Sequence, residues 1–242
     1  MHNHDFWGRR FRRTFIPYLR RLLEVLEARF LPTLGTIEVE ASELQGKVYQ
    51  ELCEMPSDGN ADLSELAEAA QDQALEFFFG MTSVQQAVLN AYAPILYHTW
   101  EQQLLTFHRR EMLHPQEEND KQFMRWKVLV ARLEQCGVVL ETLPSWGTID
   151  ELRVVANAVK HADGNSADVL RDRFPRYFDD RSLIEGSTLR TSTKPRVYLP
   201  LSGDDIYLRL EDLRRFVGAL VDFWSEFEER LAKATVPRCG AW

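Results

Sequence analysis

Residues 84–113 read VQQAVLNAYAPILYHTWEQQLLTFHRREML, the longest stretch of the chain in which apolar side chains recur at the spacing of a helix. Spacings of three and four residues place those side chains on one helix face. Pro94 lies inside the stretch and is expected to kink the helix or to split it in two, because proline lacks the N–H that an interior position donates. Long helices are therefore the predicted main element.

The same spacing continues on the N-terminal side of this stretch. It predicts helices over residues 11–30, 37–54 and 62–79. Asp62 and Glu65 have the spacing of a capping box at the start of the third helix. Gly80, followed by a Thr82 or Ser83 cap, is expected to separate this helix from residues 84–113.

On the C-terminal side, helical spacing predicts helices over 121–136, 148–161, 167–173 and 212–231. Thr148 and Glu151 have capping-box spacing at the start of the second of these. Between 196 and 210 the apolar period changes to two, with Ser202-Gly203-Asp204-Asp205 in the middle. Alternation on both sides of a glycine-containing turn predicts a β-hairpin.

The predicted fold is mainly α: a bundle of about eight helices with a β-hairpin near the C-terminus, in a single domain of residues 1–242. Apolar residues make up 45% of the chain and charged residues 27%. These fractions are ordinary for a globular protein and exclude a disordered tail or a fibrous repeat.

Cysteine use and hydropathy predict the compartment. Cys53, Cys136 and Cys239 form no C-x-x-C pair, so that neither a zinc cluster nor a disulfide framework is expected. The N-terminus has no apolar stretch after its charges, and no run of about 18 apolar residues occurs. We therefore expect a soluble, cytoplasmic protein that does not enter a membrane.

Charge is distributed unevenly. The net charge is −8, yet residues 1–30 hold seven Arg and three acids, whereas residues 31–80 hold one Lys and eleven acids. The acidic total argues against an extended, non-specific nucleic-acid-coating role, since phosphate contacts need clustered cations, but a small cationic pocket on an acidic body stays open. The asymmetry favours a protein partner, such as a neighbouring subunit, that binds through the basic 1–30 arm or the acidic 31–80 region. Solvated helix faces are the alternative.

One short constellation suggests chemistry. In ELRVVANAVKH, residues 151–161, a helix places Arg153, Asn157 and His161 on one face with Lys160 at its edge. This set suits metal-free phosphodiester cleavage. His161 would act as general base or acid, and Arg153 and Lys160 would stabilise charge on the phosphoryl oxygens. Asn157 would orient the imidazole or hold a phosphate oxygen. Alternatively, the Lys-His end only complements the helix dipole.

The stretch LRVVANAVKHADGNSADVLRDRFPRYF, residues 152–178, resembles a helical segment of bacterial proteins of the HEPN superfamily. The resemblance implies an all-α bundle that acts as a metal-independent ribonuclease in toxin–antitoxin or anti-phage systems, or as a non-catalytic relative. It also implies a homodimer that needs no cofactor. The family motif is an Arg, often followed by a polar residue such as Asn, and a His after four to six further residues.

Two stretches compete for this motif. Seven residues separate Arg153 from His161, and Val154 follows the Arg. Arg109 and His114 are separated by four, with a polar residue after the Arg. The segment that contains Arg109 and His114 also suggests a metal site, because its His and Glu residues have helical spacing. However, only Glu111 and His114 have the Glu-x-x-His order of di-iron bundles, and no second copy of this order occurs. No metal site is predicted.

The leading hypothesis from the sequence is a HEPN-type, metal-independent endoribonuclease or toxin effector that binds RNA. Its predicted catalytic residues are His161, Arg153, Asn157 and Lys160, with Arg109 and His114 as the second candidate pair. The alternative hypothesis is a non-catalytic helical interaction or regulatory subunit of a defence complex.

Overall fold

The computed structural model describes residues 4–55, 62–162, 165–179, 201 and 205–233. Within these residues the α-helices are α1 (His4–Arg10), α2 (Ile16–Val25), α3 (Ile37–Glu54), α4 (Leu63–Glu111), α5 (Trp126–Gln135), α6 (Trp146–His161), α7 (Asn165–Arg173) and α8 (Leu210–Lys233). Shorter π and 3₁₀ segments also occur, namely Phe11–Phe15, Leu26–Phe30, Leu31–Leu34, Leu140–Thr142 and Pro175–Phe178. The mainly α prediction is confirmed, and α3 has the predicted bounds.

The chain divides into two compact units. The larger unit contains residues 1–23 and 90–242, and the smaller contains residues 24–89. The single domain expected over 1–242 stays a prediction. None of the described helices is long and apolar enough to cross a membrane.

Aromatic side chains form the core of the larger unit. Trp7, Phe11 and Phe15 are buried, and the Phe11 ring lies 4.6 Å from the ring of Trp224 in α8. Residues four apart drift about 40° per step around an α-helix. The π-turn Phe11–Phe15 widens the helix at this point and keeps the successive rings on the buried side.

α4 is longer than the sequence predicts. It runs from Leu63 to Glu111 and contains Gly80 and Pro94, so that the expected break at Gly80 and a split at Pro94 are wrong. The kink expected at Pro94 as the alternative stays a prediction. Thr82 does not cap a new helix, because its hydroxyl donates to the carbonyl of Phe78, four residues earlier, at 2.8 Å. Gly80 does not adopt a positive φ, and an isolated glycine with helical dihedrals does not end a helix.

The predicted β-hairpin is wrong. Residues 196–200 and 202–204 lie outside the described residues, and the described residues contain no strand. Ile206 and Leu208 are buried and Tyr207 is half-buried, so that the alternation in the sequence is real. Leu210, however, is already the first residue of α8.

Other groups satisfy the backbone that a hairpin partner would have paired. The Asn90 side chain donates to the carbonyl of Ile206 at 2.7 Å and accepts from the N–H of Leu208 at 3.3 Å. The N–H of Tyr207 donates to the carbonyl of Tyr177 at 2.8 Å. A buried extended segment needs such partners, and here a helix side chain supplies two of them.

His108 is buried in α4, and neither of its ring nitrogens has a hydrogen-bond partner among the described residues. Burial and, to a smaller extent, the charge of the nearby Arg132 lower the pKa of His108 to about 4, although the charge of Glu117 opposes them. The guanidinium of Arg132 and the N–H of His114 hold the pKa of Glu117 at about 2. His108 is therefore neutral in the fold near neutral pH.

We expect Asn90→Ala to lower the free energy of unfolding by about 2–4 kcal/mol, since two buried backbone groups lose their partner. Urea denaturation followed by circular dichroism measures the change. Asn119→Ala, at an exposed position, is the matched control and should change it by less than about 0.5 kcal/mol. Equal effects of the two substitutions would contradict the role assigned to Asn90.

We expect acid to destabilise the fold through His108. The unfolded chain binds a proton on this residue near pH 6.5, whereas the folded chain does so only near 4. Stability is therefore present above pH 6.5 and is lost as the pH falls towards 4, by up to about 3 kcal/mol. Denaturation of the wild type and of His108→Leu across pH 4–7 measures this loss.

The His108→Leu variant should lack that part of the pH dependence. The variant should retain the loss of stability below about pH 4.5 that comes from Glu117, whose folded-state pKa is about 2. Parallel curves for the two proteins between pH 4 and 7 would show that His108 is not the titrating group.

Candidate functional site

The candidate site lies on the polar face of α6. Leu152, Val155 and Ala158 bury the opposite face of this helix in the larger unit. Helical geometry places the four predicted site residues within an arc of about 100° on the outward side. These residues are Arg153, Asn157, Lys160 and His161. The sequence therefore predicted the shared face correctly, and the contacts below show how each side chain is held.

The N-terminal end of α6 differs from the expected capping box. The helix begins at Trp146 and not at Thr148. Ser145 precedes it without a side-chain cap, because its hydroxyl and its N–H both donate to Oε2 of Glu226 in α8, at 2.7 and 3.2 Å. Glu151 therefore does not take part in the expected capping box, and its carboxylate is available to other partners.

A buried carboxylate, that of Glu151, ties α6 to α8. Arg215 of α8 donates to both of its oxygens, at 2.9 and 2.8 Å, and the Tyr177 hydroxyl donates to Oε1 at 2.5 Å. Arg176 donates to the same oxygen. Asp212 adds a second negative charge, 3.5 Å from Arg215. The group is internally neutralised and holds one face of α6 in place.

The pKa values of this group follow from burial and from the Glu151 charge. Burial raises the pKa of Tyr177, and its hydrogen bond to Glu151 raises it further. Burial alone would lower the pKa of Arg215, but the hydrogen bonds and charge of Glu151 outweigh it, so that the pKa is raised. Tyr177 and Arg215 therefore keep their protons and remain donors to Glu151.

A second carboxylate, Asp150, holds two guanidinium groups on the outward side. Arg153 donates to Oδ1 through two nitrogens, at 2.7 and 3.0 Å, and Arg173 of α7 lies 2.8 Å from Oδ2. Burial opposes the charge of Asp150, but the hydrogen bonds from Arg153 and Arg173 outweigh it and lower its pKa. Two cations against one anion leave a positive charge in excess.

The C-terminal end of α6 is open. Lys160 and His161 are exposed and Asn157 is half-buried. None of the three has a hydrogen-bond or ion-pair partner within the described part of the chain. The helix ends at His161 and is followed by Ala162, whose φ of 44° is unusual for a residue with a side chain. A cation, an amide and an imidazole are thus presented together to solvent.

Arg153 is separated from this end. Eight residues of helix place it about 12 Å from His161 along the axis. Its guanidinium turns towards Asp150, one turn nearer the helix start. The structure therefore groups Asn157 with Lys160 and His161, and groups Arg153 with Arg173.

The second candidate pair is not presented on one helix face. α4 ends at Glu111, so that Arg109 lies in its last turn and His114 lies beyond it. The backbone N–H of His114 donates to Glu117, which is the carboxylate bound by Arg132. The helical spacing on which a shared site would depend is lost.

The Glu and His side chains of α4 that suggested a metal site bind different partners. His98 lies 3.2 Å from Glu101, and Glu111 accepts a hydrogen bond from the indole of Trp7 at 2.7 Å. Among the described residues no three His, Cys, Asp or Glu side chains come together as a metal site would need.

Sequence reasoning missed the Glu151 group. The signal was present, since Glu151, Val155 and Ala158 follow the spacing of the buried face of α6. A carboxylate at a buried helix position requires cationic partners. The sequence does not say which arginines these are, because Arg176 and Arg215 lie 25 and 64 residues away.

Comparison with known protein families, with curated proteins and with solved structures found no match for this chain.

We expect Glu151→Ala to lower the free energy of unfolding by about 2–3 kcal/mol. The substitution removes the carboxylate that Arg215 and Tyr177 share as acceptor. Because the arginines are partly exposed, the decrease in the free energy of unfolding stays below the value for a fully buried pair. Glu141→Ala, at an exposed position, is the control. Thermal and urea denaturation measure both, and a loss under about 1 kcal/mol would contradict the anchoring role.

Proposed function

We propose that this protein is a metal-independent endoribonuclease of the kind that its resemblance to HEPN proteins implies, acting as a toxin or defence effector in the cytoplasm. The single observation that carries the proposal is the open C-terminal end of α6. There Lys160 and His161 are exposed beside Asn157, and none of the three has a hydrogen-bond or ion-pair partner among the described residues.

The surface next to this end supports an anionic substrate. Arg153 and Arg173 share the carboxylate of Asp150 and leave one positive charge in excess. An acidic protein with a local cationic strip attracts a phosphate backbone to that strip and repels it elsewhere. RNA is the substrate class that fits, since its 2′-hydroxyl supplies an internal nucleophile and no metal-bound water is required.

Each residue then has a role set by its place. His161 takes the proton of the 2′-hydroxyl as that oxygen attacks the adjacent phosphorus. The bond between the phosphorus and the 5′-oxygen breaks, and the leaving 5′-oxygen takes a proton from water, which gives a 2′,3′-cyclic phosphate and a 5′-hydroxyl end. Lys160 stabilises the charge that develops on the phosphoryl oxygens, and Asn157 positions the phosphate. Arg153, about 12 Å away, binds a flanking part of the RNA backbone rather than the reacting phosphate. A second copy of the chain would extend this strip.

A specific observation favours the non-catalytic alternative. Counting back from His161, the family spacing with Asn157 as the polar residue puts the motif arginine at position 156, where this chain has Ala156. That side chain is buried. A helical interaction or regulatory subunit that binds RNA or a protein partner without cutting is consistent with such a substitution.

Cleavage of total RNA and tRNA in EDTA decides between the two. We expect the wild-type protein to cut RNA and His161→Ala to cut at least about 100-fold more slowly, the usual contribution of a general acid or base. Lys160→Gln should lower kcat, whereas Arg153→Gln should raise KM with little change in kcat, because it removes binding and not transition-state charge stabilisation.

His114→Ala is the matched control, since it removes the histidine of the second candidate pair. It should cut RNA as the wild type does. Full activity in His161→Ala together with loss in His114→Ala would move the site to the end of α4. If the wild-type protein binds RNA without cutting it, the nuclease proposal is wrong and the non-catalytic alternative holds.

A further inference from the structure

A surface in the smaller unit remains without a function. On the first part of α4, one outward stripe carries acids and large apolar side chains side by side, and all of them are exposed. Helical geometry places them within an arc of about 100°. These residues, called the acidic–apolar face below, are Glu65, Glu68, Asp72, Leu75, Glu76 and Phe79.

The acidic–apolar face points away from the core of its own unit. Ala70 and Ala74 are buried on the opposite side of the same helix. Leu75 and Phe79, one turn apart, are 42% and 61% exposed. Seven of the eleven large apolar side chains found exposed in the described residues lie in this unit. Of these, Leu75 and Phe79 are neighbours on one helix face, and adjacent exposed apolar side chains mark an interaction surface more often than single scattered ones do.

The net charge of the smaller unit limits which class of partner can bind the acidic–apolar face. Residues 24–89 hold thirteen acidic and two basic side chains, a net charge of −11, so that the remainder of the chain carries +3. A field of this sign repels nucleic acids and anionic lipid surfaces. It attracts a cationic partner, and the two apolar side chains require that partner to bring apolar groups as well.

We propose that the acidic–apolar face is a docking site for a cationic amphipathic helix of another protein. A helix laid along α4 has the same rise of about 1.5 Å per residue, so that lysines or arginines one turn apart meet Glu68, Asp72 and Glu76 in turn. Its apolar side chains, at i and i+4, cover Leu75 and Phe79. This inference goes beyond the proposed RNA chemistry and stands without it.

A second copy of this chain does not fit the same face. Two copies of the face against each other would oppose acid to acid. In the basic segment α1–α2, Phe11, Phe15 and Leu19 are buried, and the only exposed large apolar side chains are Phe6 and Tyr18. Twelve residues separate these two along the chain, so that they do not match Leu75 and Phe79, which lie one turn apart. Arg12 in that segment is paired with Glu228.

The test uses the full-length protein and an 18-residue designed peptide of leucine and lysine in helical spacing. Fluorescence anisotropy measures its Kd. We expect Glu68→Gln/Glu76→Gln and, separately, Leu75→Ala/Phe79→Ala to weaken binding at least tenfold each. The wild-type affinity should fall as salt is raised. Circular dichroism verifies that the exposed-site variants keep their helix content.

The matched control is Glu134→Gln/Glu229→Gln, which removes two exposed acids of the larger unit. It should leave the Kd unchanged within twofold. An equal loss in this control, or no loss in Leu75→Ala/Phe79→Ala, would show only non-specific charge attraction and would overturn the proposal. So would sedimentation showing wild-type self-association that Leu75→Ala/Phe79→Ala abolishes, because a second copy would then cover the face.

Discussion

The carboxylate of Glu151 accepts hydrogen bonds from two guanidinium groups and a phenol, and the placement of α6 depends on it. Arg215 reaches it from α8, while Arg176 and Tyr177 reach it from the turn after α7. Three segments far apart in sequence are thereby fixed around one buried charge, which would be costly to bury alone. Because this bond network holds the inner side of α6, the outer side is left to present Lys160 and His161 to solvent.

Helices were the predictable part of this fold. α3 has the bounds expected from periodicity, and α6 ends at the predicted His161. Predictions from periodicity were wrong where one local sequence signal is compatible with two different structures. Gly80 and Thr82 suit a helix boundary, yet they also fit a helix interior when the hydroxyl bonds back to Phe78. The alternation at 206–208 suits a strand, yet the Asn90 side chain, more than 110 residues earlier, supplies the hydrogen bonds that a strand partner would have given.

The candidate site was predictable to a similar extent. Helical spacing sufficed to place Arg153, Asn157, Lys160 and His161 on one face, because that property is local. The pairing of Arg153 with Asp150 is also local, at a distance of three residues in sequence. The approach of Arg173 to the same carboxylate is not, since it depends on how α7 packs against α6. Sequence alone therefore predicted that the four residues share one face, but not the division between an ion-paired end and an open end of the helix.

The π-turn at Phe11–Phe15 has a consequence for how the N-terminal helix tolerates changes in length. Twelve residues separate Trp7 from Leu19, which in a regular α-helix would rotate the second side chain about 120° away from the first. Eleven residues would leave the two only about 20° apart. Loss of one residue within this turn, with its hydrogen bonds reverting to the α pattern, thus keeps both side chains on the buried side. The wide turn is equivalent to a single-residue insertion that the core has accommodated without a change of register.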